Sequence, residues 1–234
     1  MDKGIQLEPP RCPHALRADV QPPPKFMRDL PIDKRGYPVP WFVDWFNGEP
    51  EFRAMDRKKF VAATNNRLCW TCGHPLFGEE VFVIGPMCAV NRISSEPPSH
   101  RECAVYAATN CPFLTKPQMV RREGNLPGPK NPPPGVMVER NPGVTLLWYT
   151  KHHRMIETPD RPGICAAGVL FQIGRPFKVE WYKRGRPATR AEVEEAMESG
   201  LPILRETSMK WDGPAATPIL EANIVRAQQY FPKE

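Results

Sequence analysis

Four residues near the middle of the chain have the types and spacing to hold a metal ion. They are Cys69 and Cys72 in Cys-Trp-Thr-Cys, then His100 and Cys103 in Ser-His-Arg-Glu-Cys. Two thiolates two residues apart, followed by His-x-x-Cys, offer the four soft nitrogen and sulfur ligands that a structural zinc ion takes. Twenty-seven residues, 73 to 99, separate the two pairs, more than in the best-known zinc fingers. With all four places filled by protein, none is left for a reactive water, so the expected Zn2+ is structural.

The elements that must position these ligands are written around them. Ser99 and Glu102 have capping-box spacing, which predicts a helix beginning there and running through Cys103-Ala-Val-Tyr-Ala-Ala. His100 and Cys103 then fall at its first and fourth positions, one turn apart on one face. The positive end of the helix dipole favours a thiolate at Cys103. Gly73, just after Cys72, permits the tight turn that aims backbone amides at sulfur. Glu80 to Ile84 reads as a strand broken at Gly85-Pro86, and 87–99 reads as a loop carrying Cys88, the rival for a ligand place. Cys111 is expected to pack in the core. Knuckle, strand region and ligand-bearing helix start together resemble a treble-clef zinc site.

Composition sets the outer limits. The chain has 234 residues, 41% hydrophobic and 25% charged, with 30 prolines, a net charge of +6 and a pI near 9.0. That many prolines predicts long irregular connections. The basic balance leans toward an acidic partner such as nucleic acid. Seven cysteines with no secretory signal before them read as metal ligands and spare thiols rather than a disulfide framework. No apolar run approaches membrane-span length, so a cytoplasmic setting is expected.

Along the chain, 1–38 reads as a proline-rich arm that wraps the body or stays disordered, and 39–123 as a zinc-binding domain. Within it, Val39 to Phe46, Asn47-Gly48 and Glu51 onward predict a hairpin whose Trp41, Phe42, Trp45 and Phe46 are sheet-face or base-stacking residues. Asp56 is expected to cap a helix over 57–66 with Phe60 and Val61 inward and Arg57-Lys-Lys59 as a solvated face. The stretch 124–143 is too poor in apolar residues to be an element and reads as a linker. Beyond it, 144–234 shows strands at Val144–Tyr149, Gly168–Ile173 and Phe177–Tyr182, expected to form one antiparallel sheet. A capping box at Thr189 and Glu192 then opens a helix broken or kinked at Gly200-Leu-Pro202, and Leu220, Ile224, Ala227 and Phe231 mark a last one. Strands followed by late helices make the expected class α+β.

Candidates for chemistry beyond the metal are few. A treble-clef nuclease would need more histidines beside the helix; the interval between the ligand pairs holds His74, and His152-His153 reads as a basic surface cluster. No enzyme is expected. Lys183, Arg184 and Arg186, beside Trp181, form the favoured nucleic-acid patch, with charge for phosphate and an aromatic for stacking. A protein-interaction module, braced by zinc and using the proline arm and aromatic hairpin, is the competing reading.

Several segments taken together carry a resemblance: Arg35-Gly-Tyr-Pro-Val-Pro-Trp-Phe-Val43, the Cys-x-x-Cys knuckle, Phe82 to Cys88, Pro97 to Cys103, Cys111-Pro-Phe-Leu and Gly185 to Glu192. They resemble a family of uncharacterised proteins of bacteriophages and prophage-bearing bacteria, from about residue 28 onward. The resemblance implies a phage or bacterial cytoplasmic setting, with roles in phage DNA metabolism or against host defence. It brings no catalytic residue.

Overall fold

A computed structural model describes residues 14–116, 143–159 and 168–233, and its elements follow the punctuation of the chain. Asn47 and Gly48, at φ 51° and 80°, make the mirror-image turn that suits right-twisted strands. It joins β1 (Val43–Phe46) to β2 (Glu49–Met55). Asp56 accepts the amides of Lys58 and Lys59 and starts α1 (Arg57–Asn66). Phe60 packs inward, but Val61 is exposed, and Lys59 is not on a solvated face: its Nζ donates to the Val43 carbonyl at 3.2 Å, and burial lowers its pKa.

The centre of the molecule is a sheet in the order β3 (Glu80–Ile84), β5 (Thr145–Thr150), β8 (Lys178–Lys183), β9 (Arg186–Pro187), every pair antiparallel. All six residues of β5 are buried because both faces of this sheet are covered. Val81, Leu147 and Tyr149 alternate onto the face packed by Ala104 and Ala108 of α3 (Arg101–Asn110). Phe82, Ile84, Leu146, Trp148 and Trp181 face the other way. They meet α2 (Pro86–Asn91), α5 (Arg190–Asp212) and α6 (Thr217–Ala227) through Val90, Val193, Met197, Leu220 and Ile224. Each such large apolar side chain contributes roughly 1.5–3 kcal/mol by leaving water.

The loop expected over 87–99 instead contains α2 and β4 (Ile93–Ser94). Gly85 as N-cap and Pro86 at the first helical position start the helix, a proline placement read in sequence as a break. A further strand, β6 (His153–Thr158), pairs with β7 (Gly168–Ile173). The three strands foreseen in the second half therefore divide between two sheets, β7 lying in a smaller one ordered β4-β7-β6. The late helices are as expected, with one difference: α5 runs unbroken through Pro202. Glu198 and Pro202 are both exposed, so the carbonyl that the proline ring leaves unpaired lies on the helix's exposed face. The architecture is α+β. Residues 124–142 of the expected linker lie outside the described residues, and on either side of them the chain shares one sheet and one core.

Candidate metal centre

Cys69 and Cys72 sit on a turn held by its own backbone. The Cys69 N–H donates to the His74 carbonyl at 2.7 Å, and the Gly73 N–H donates to the Cys69 carbonyl at 2.8 Å. Gly73 has φ 77°, and a Cβ there would lie 2.7 Å from the Trp41 ring, so both conformation and space require glycine. The Trp41 N–H donates to the Thr71 carbonyl at 2.7 Å, and Phe42 stacks on Trp70 at 4.7 Å, so the hairpin leans on this turn. Trp41 and Phe42 are thereby spent on internal packing. The Trp70 indole nitrogen is buried with no acceptor among the described residues.

The second ligand pair is set one residue differently from the expectation. His100, not Ser99, is the N-cap residue of α3, and it makes no side-chain cap. Ser99 cannot serve because it exchanges backbone hydrogen bonds with Val81, at 3.1 and 2.8 Å, and its hydroxyl lies 2.9 Å from that of Thr71. The sheet thus claims the residue that the local pattern assigns to the helix. Cys103 remains in the first turn, where the helix dipole favours its thiolate.

These elements bring the four foreseen residues together. One ligand atom from each of Cys69, Cys72, His100 and Cys103 lies within 4.8 Å of the others. The residues are buried, at 0%, 6%, 9% and 0% exposure respectively. The Nδ1 of His100 is 3.4 Å from the Cys72 sulfur and 3.9 Å from that of Cys103. A tetrahedral zinc with ordinary bond lengths would separate sulfur from nitrogen by about 3.6 Å, so the spacing fits such an ion. The other ring nitrogen, Nε2, lies 2.9 Å from the Pro75 carbonyl, the outer contact that fixes the tautomer of a metal-binding histidine. The His100 backbone N–H also donates to the Cys69 sulfur at 3.3 Å.

The thiols and the imidazole perturb one another strongly. Burial opposes ionisation of Cys69, yet hydrogen bonds from Cys103, Cys72 and His100 hold its thiol far below the usual range. Contacts with Cys69 and then Cys72 push His100 up to about 10. Cys103 is driven far upward by Cys69 and Cys72. Three sulfurs and an imidazole gathered out of water are a donor set that a divalent ion would neutralise once the thiols give up their protons.

The N-terminal arm completes the enclosure. Phe26 stacks on the His100 ring at 4.9 Å with 21° between planes. Val20 and Met27 pack among Cys69, Cys72, Cys103, Leu76 and Tyr106. The Tyr106 hydroxyl donates to the Gln21 carbonyl at 2.9 Å, and the Gln21 N–H donates to Asn110 Oδ1 at 3.1 Å. Of the two fates expected for 1–38, residues 14–38 wrap the body; residues 1–13 lie outside the described residues. Nothing in the arm's low periodicity marks Phe26 as a wall of the site.

The remaining cysteines stand apart from the cluster. Cys88 packs partly buried against the main core, its thiol pushed up to about 11 by burial, and is no ligand to this group. Cys111 caps α4 (Pro112–Thr115) and is raised by burial.

The foreseen basic patch is altered by its surroundings. Trp181 is 4% exposed and its indole donates to the Tyr230 carbonyl at 2.7 Å, so its ring is not open for stacking. Lys183 lies 3.2 Å from Glu195, and Arg186 lies 2.7 Å from Glu192. Arg184 is exposed and makes no ion pair among the described residues. His152 is exposed, but His153 is not part of a surface cluster: it is half-buried on Phe82 and Phe171, with Nδ1 2.8 Å from Glu80. Arg67, 3.0 Å away, takes the other oxygen of Glu80. No local pattern links residues 67, 80 and 153, and only the fold does. Compared with protein-family models, with curated proteins and with solved structures, the chain matches none.

Proposed function

We propose that this chain is a zinc-stabilised, non-enzymatic binding protein whose partner is a nucleic acid. Zinc fits the closed Cys3His set, and the order of turn, strand and ligand-bearing helix start fits a treble-clef site. In this reading the metal holds the turn and α3 together and leaves binding to the surface.

The observation that carries the choice of partner lies at one end of the main sheet. β3 and β8 both begin opposite the end of β5, Glu80 pairing with Thr150 and Lys178 with Tyr149. Phe77, three residues ahead of β3, is 76% exposed, and Phe177, one residue ahead of β8, is 49% exposed. Lys151 and His152 follow β5 directly, and Arg175 precedes β8. All three are exposed, with no ion-pair partner among the described residues. Glu79 is the exposed carboxylate beside them. Exposed rings beside the unpaired cations Lys151 and Arg175 suit bases that stack and phosphates that pair. This end supports the reading better than Lys183, Arg184 and Arg186, two of which are neutralised. The family resemblance implies a phage or prophage setting in the host cytoplasm, with roles in DNA metabolism or against host defence, and this reading takes the first.

A protein partner is the second reading. Ile219, Ala222 and Val225 form an exposed apolar stripe on α6, with Ile219 and Val225 at 65% and 66% exposure.

The test is binding of the zinc-loaded protein to labelled single- and double-stranded DNA and RNA at low and near-physiological salt. Phosphate contact predicts affinity that falls steeply with salt. Changing Lys151→Glu together with Arg175→Glu should weaken binding at least about tenfold and flatten the salt slope by about two. Absence of binding even at low salt overturns the nucleic-acid reading, and pull-down through the α6 stripe then becomes the test of the second.

A further inference from the structure

We infer that residues 14–38 form a strap that gates exchange of the metal held by Cys69, Cys72, His100 and Cys103. The inference rests on the zinc reading above and adds a moving part to it.

The ligand residues are at most 9% exposed, and the strap supplies one wall of that enclosure. Phe26 covers the His100 ring and tilts over His74, with centroids 5.5 Å apart. Val20 and Met27 close over the sulfurs, and the partly buried Leu16, Leu30 and Tyr37 extend the cover. A chelator cannot reach a ligand sulfur past these side chains, so transfer of the metal requires the strap to lift.

The strap is also the part of the enclosure that can lift without unfolding the rest. Across its first half it is tied to the body by few polar contacts: the Tyr106 hydroxyl to the Gln21 carbonyl, and the Gln21 N–H to Asn110. It contains one 3₁₀ turn, Lys25–Met27, and no strand within a sheet. The other walls, α3 and the turn at Cys69–Cys72, are tied to the main sheet and the hairpin. Segments outside the sheet ladders open locally more often than sheet cores, here at the cost of exposing Val20, Phe26 and Met27. Phe26 is accordingly a positioning residue, touching a ligand ring and controlling access to the ion.

The experiment uses the full chain loaded with zinc, its content measured by mass spectrometry. Transfer to excess chromogenic chelator is followed by absorbance, and amide exchange is read over 14–38. Phe26→Ala removes the ring that covers His100 and should speed transfer about tenfold. Tyr106→Phe, which keeps the packing and removes only one hydrogen bond, should speed it a few-fold. Both variants should keep stoichiometric zinc, and exchange across 14–38 should quicken by the same factors. Stoichiometric zinc with transfer unchanged in both variants overturns the strap. Failure of the wild-type chain to hold zinc overturns the metal reading itself, and the inference with it.

Discussion

The Nδ1 of His153 lies 2.8 Å from a Glu80 carboxylate oxygen, joining the first residue of β6 to the first residue of β3. A nitrogen facing a carboxylate carries the proton, so the imidazole donates. The Glu80 side chain is 3% exposed and depends on this donor and on Arg67. Removing the donor leaves a buried charge half-satisfied and a gap between Phe82 and Phe171. His153→Ala should therefore cost about 3 kcal/mol, whereas Glu80→Gln combined with His153→Gln should recover part of it. Urea titration of the wild type and the two variants checks this; equal midpoints for wild type and His153→Ala would sink it.

Loss of a single sulfur should have a larger effect. A structural zinc contributes on the order of 10 kcal/mol, comparable with a whole domain's stability. Cys72→Ser and Cys103→Ser are expected to be insoluble or partly unfolded, and chelation should do the same to the wild type. Metal analysis and thermal melting provide the check. Normal melting and normal metal content in both mutants would remove the site.

Trp70 offers a substitution with an unusual expected sign. Its ring stacks on Phe42 and meets Phe60 edge-on, but its indole N–H is buried without an acceptor among the described residues. Such a group costs about 1–3 kcal/mol. Trp70→Phe keeps an aromatic there and removes the orphan donor, offsetting the lost volume. We expect a melting temperature within a few degrees of wild type, where Trp70→Ala should fall steeply. A steep fall in Trp70→Phe as well would mean that the indole has a partner in solution.

The start of α5 should respond to acid. Glu192 is held at about 2, first by Arg186 and then by the Thr189 backbone N–H, with the Thr189 hydroxyl completing the box. Its folded pKa lies below the usual value near 4.3. Its contribution, about 1 kcal/mol for such a cap, is therefore full above that value and is lost as pH falls toward 2. NMR titration of the carboxyl and amide exchange at residues 190–194 should show the first turn loosening in that window. The same pH dependence in Glu192→Gln would refute the assignment.

What could be read from the sequence was whatever lies close together along the chain. The Asn47-Gly48 turn, the caps at Asp56 and Thr189, and the Cys-x-x-Cys turn are each specified within a few residues, and they form as read. The four members of the Cys/His cluster could be named because residue chemistry and short spacing select them. Ser99 shows the limit: the cap pattern is correct locally, but pairing with Val81 removes the residue from the helix. The division of strands between two sheets, the seat of Phe26 on His100 and the burial of Trp181 depend on partners far away in sequence. A short apolar run does not say which strand it will join.

The position of β5 bears on how the chain comes into being. It lies between β3 and β8, and all six of its residues are buried. Its partner β3 belongs to the part of the chain that holds the metal ligands, yet β5 is made well after every one of them. During synthesis, β3 therefore leaves the ribosome with one edge of backbone N–H and C=O groups open and no strand to pair it. The cysteines are already available to metal while the sheet behind α3 is still missing. The sheet that backs α3 is complete only after residues 145–150 have been made.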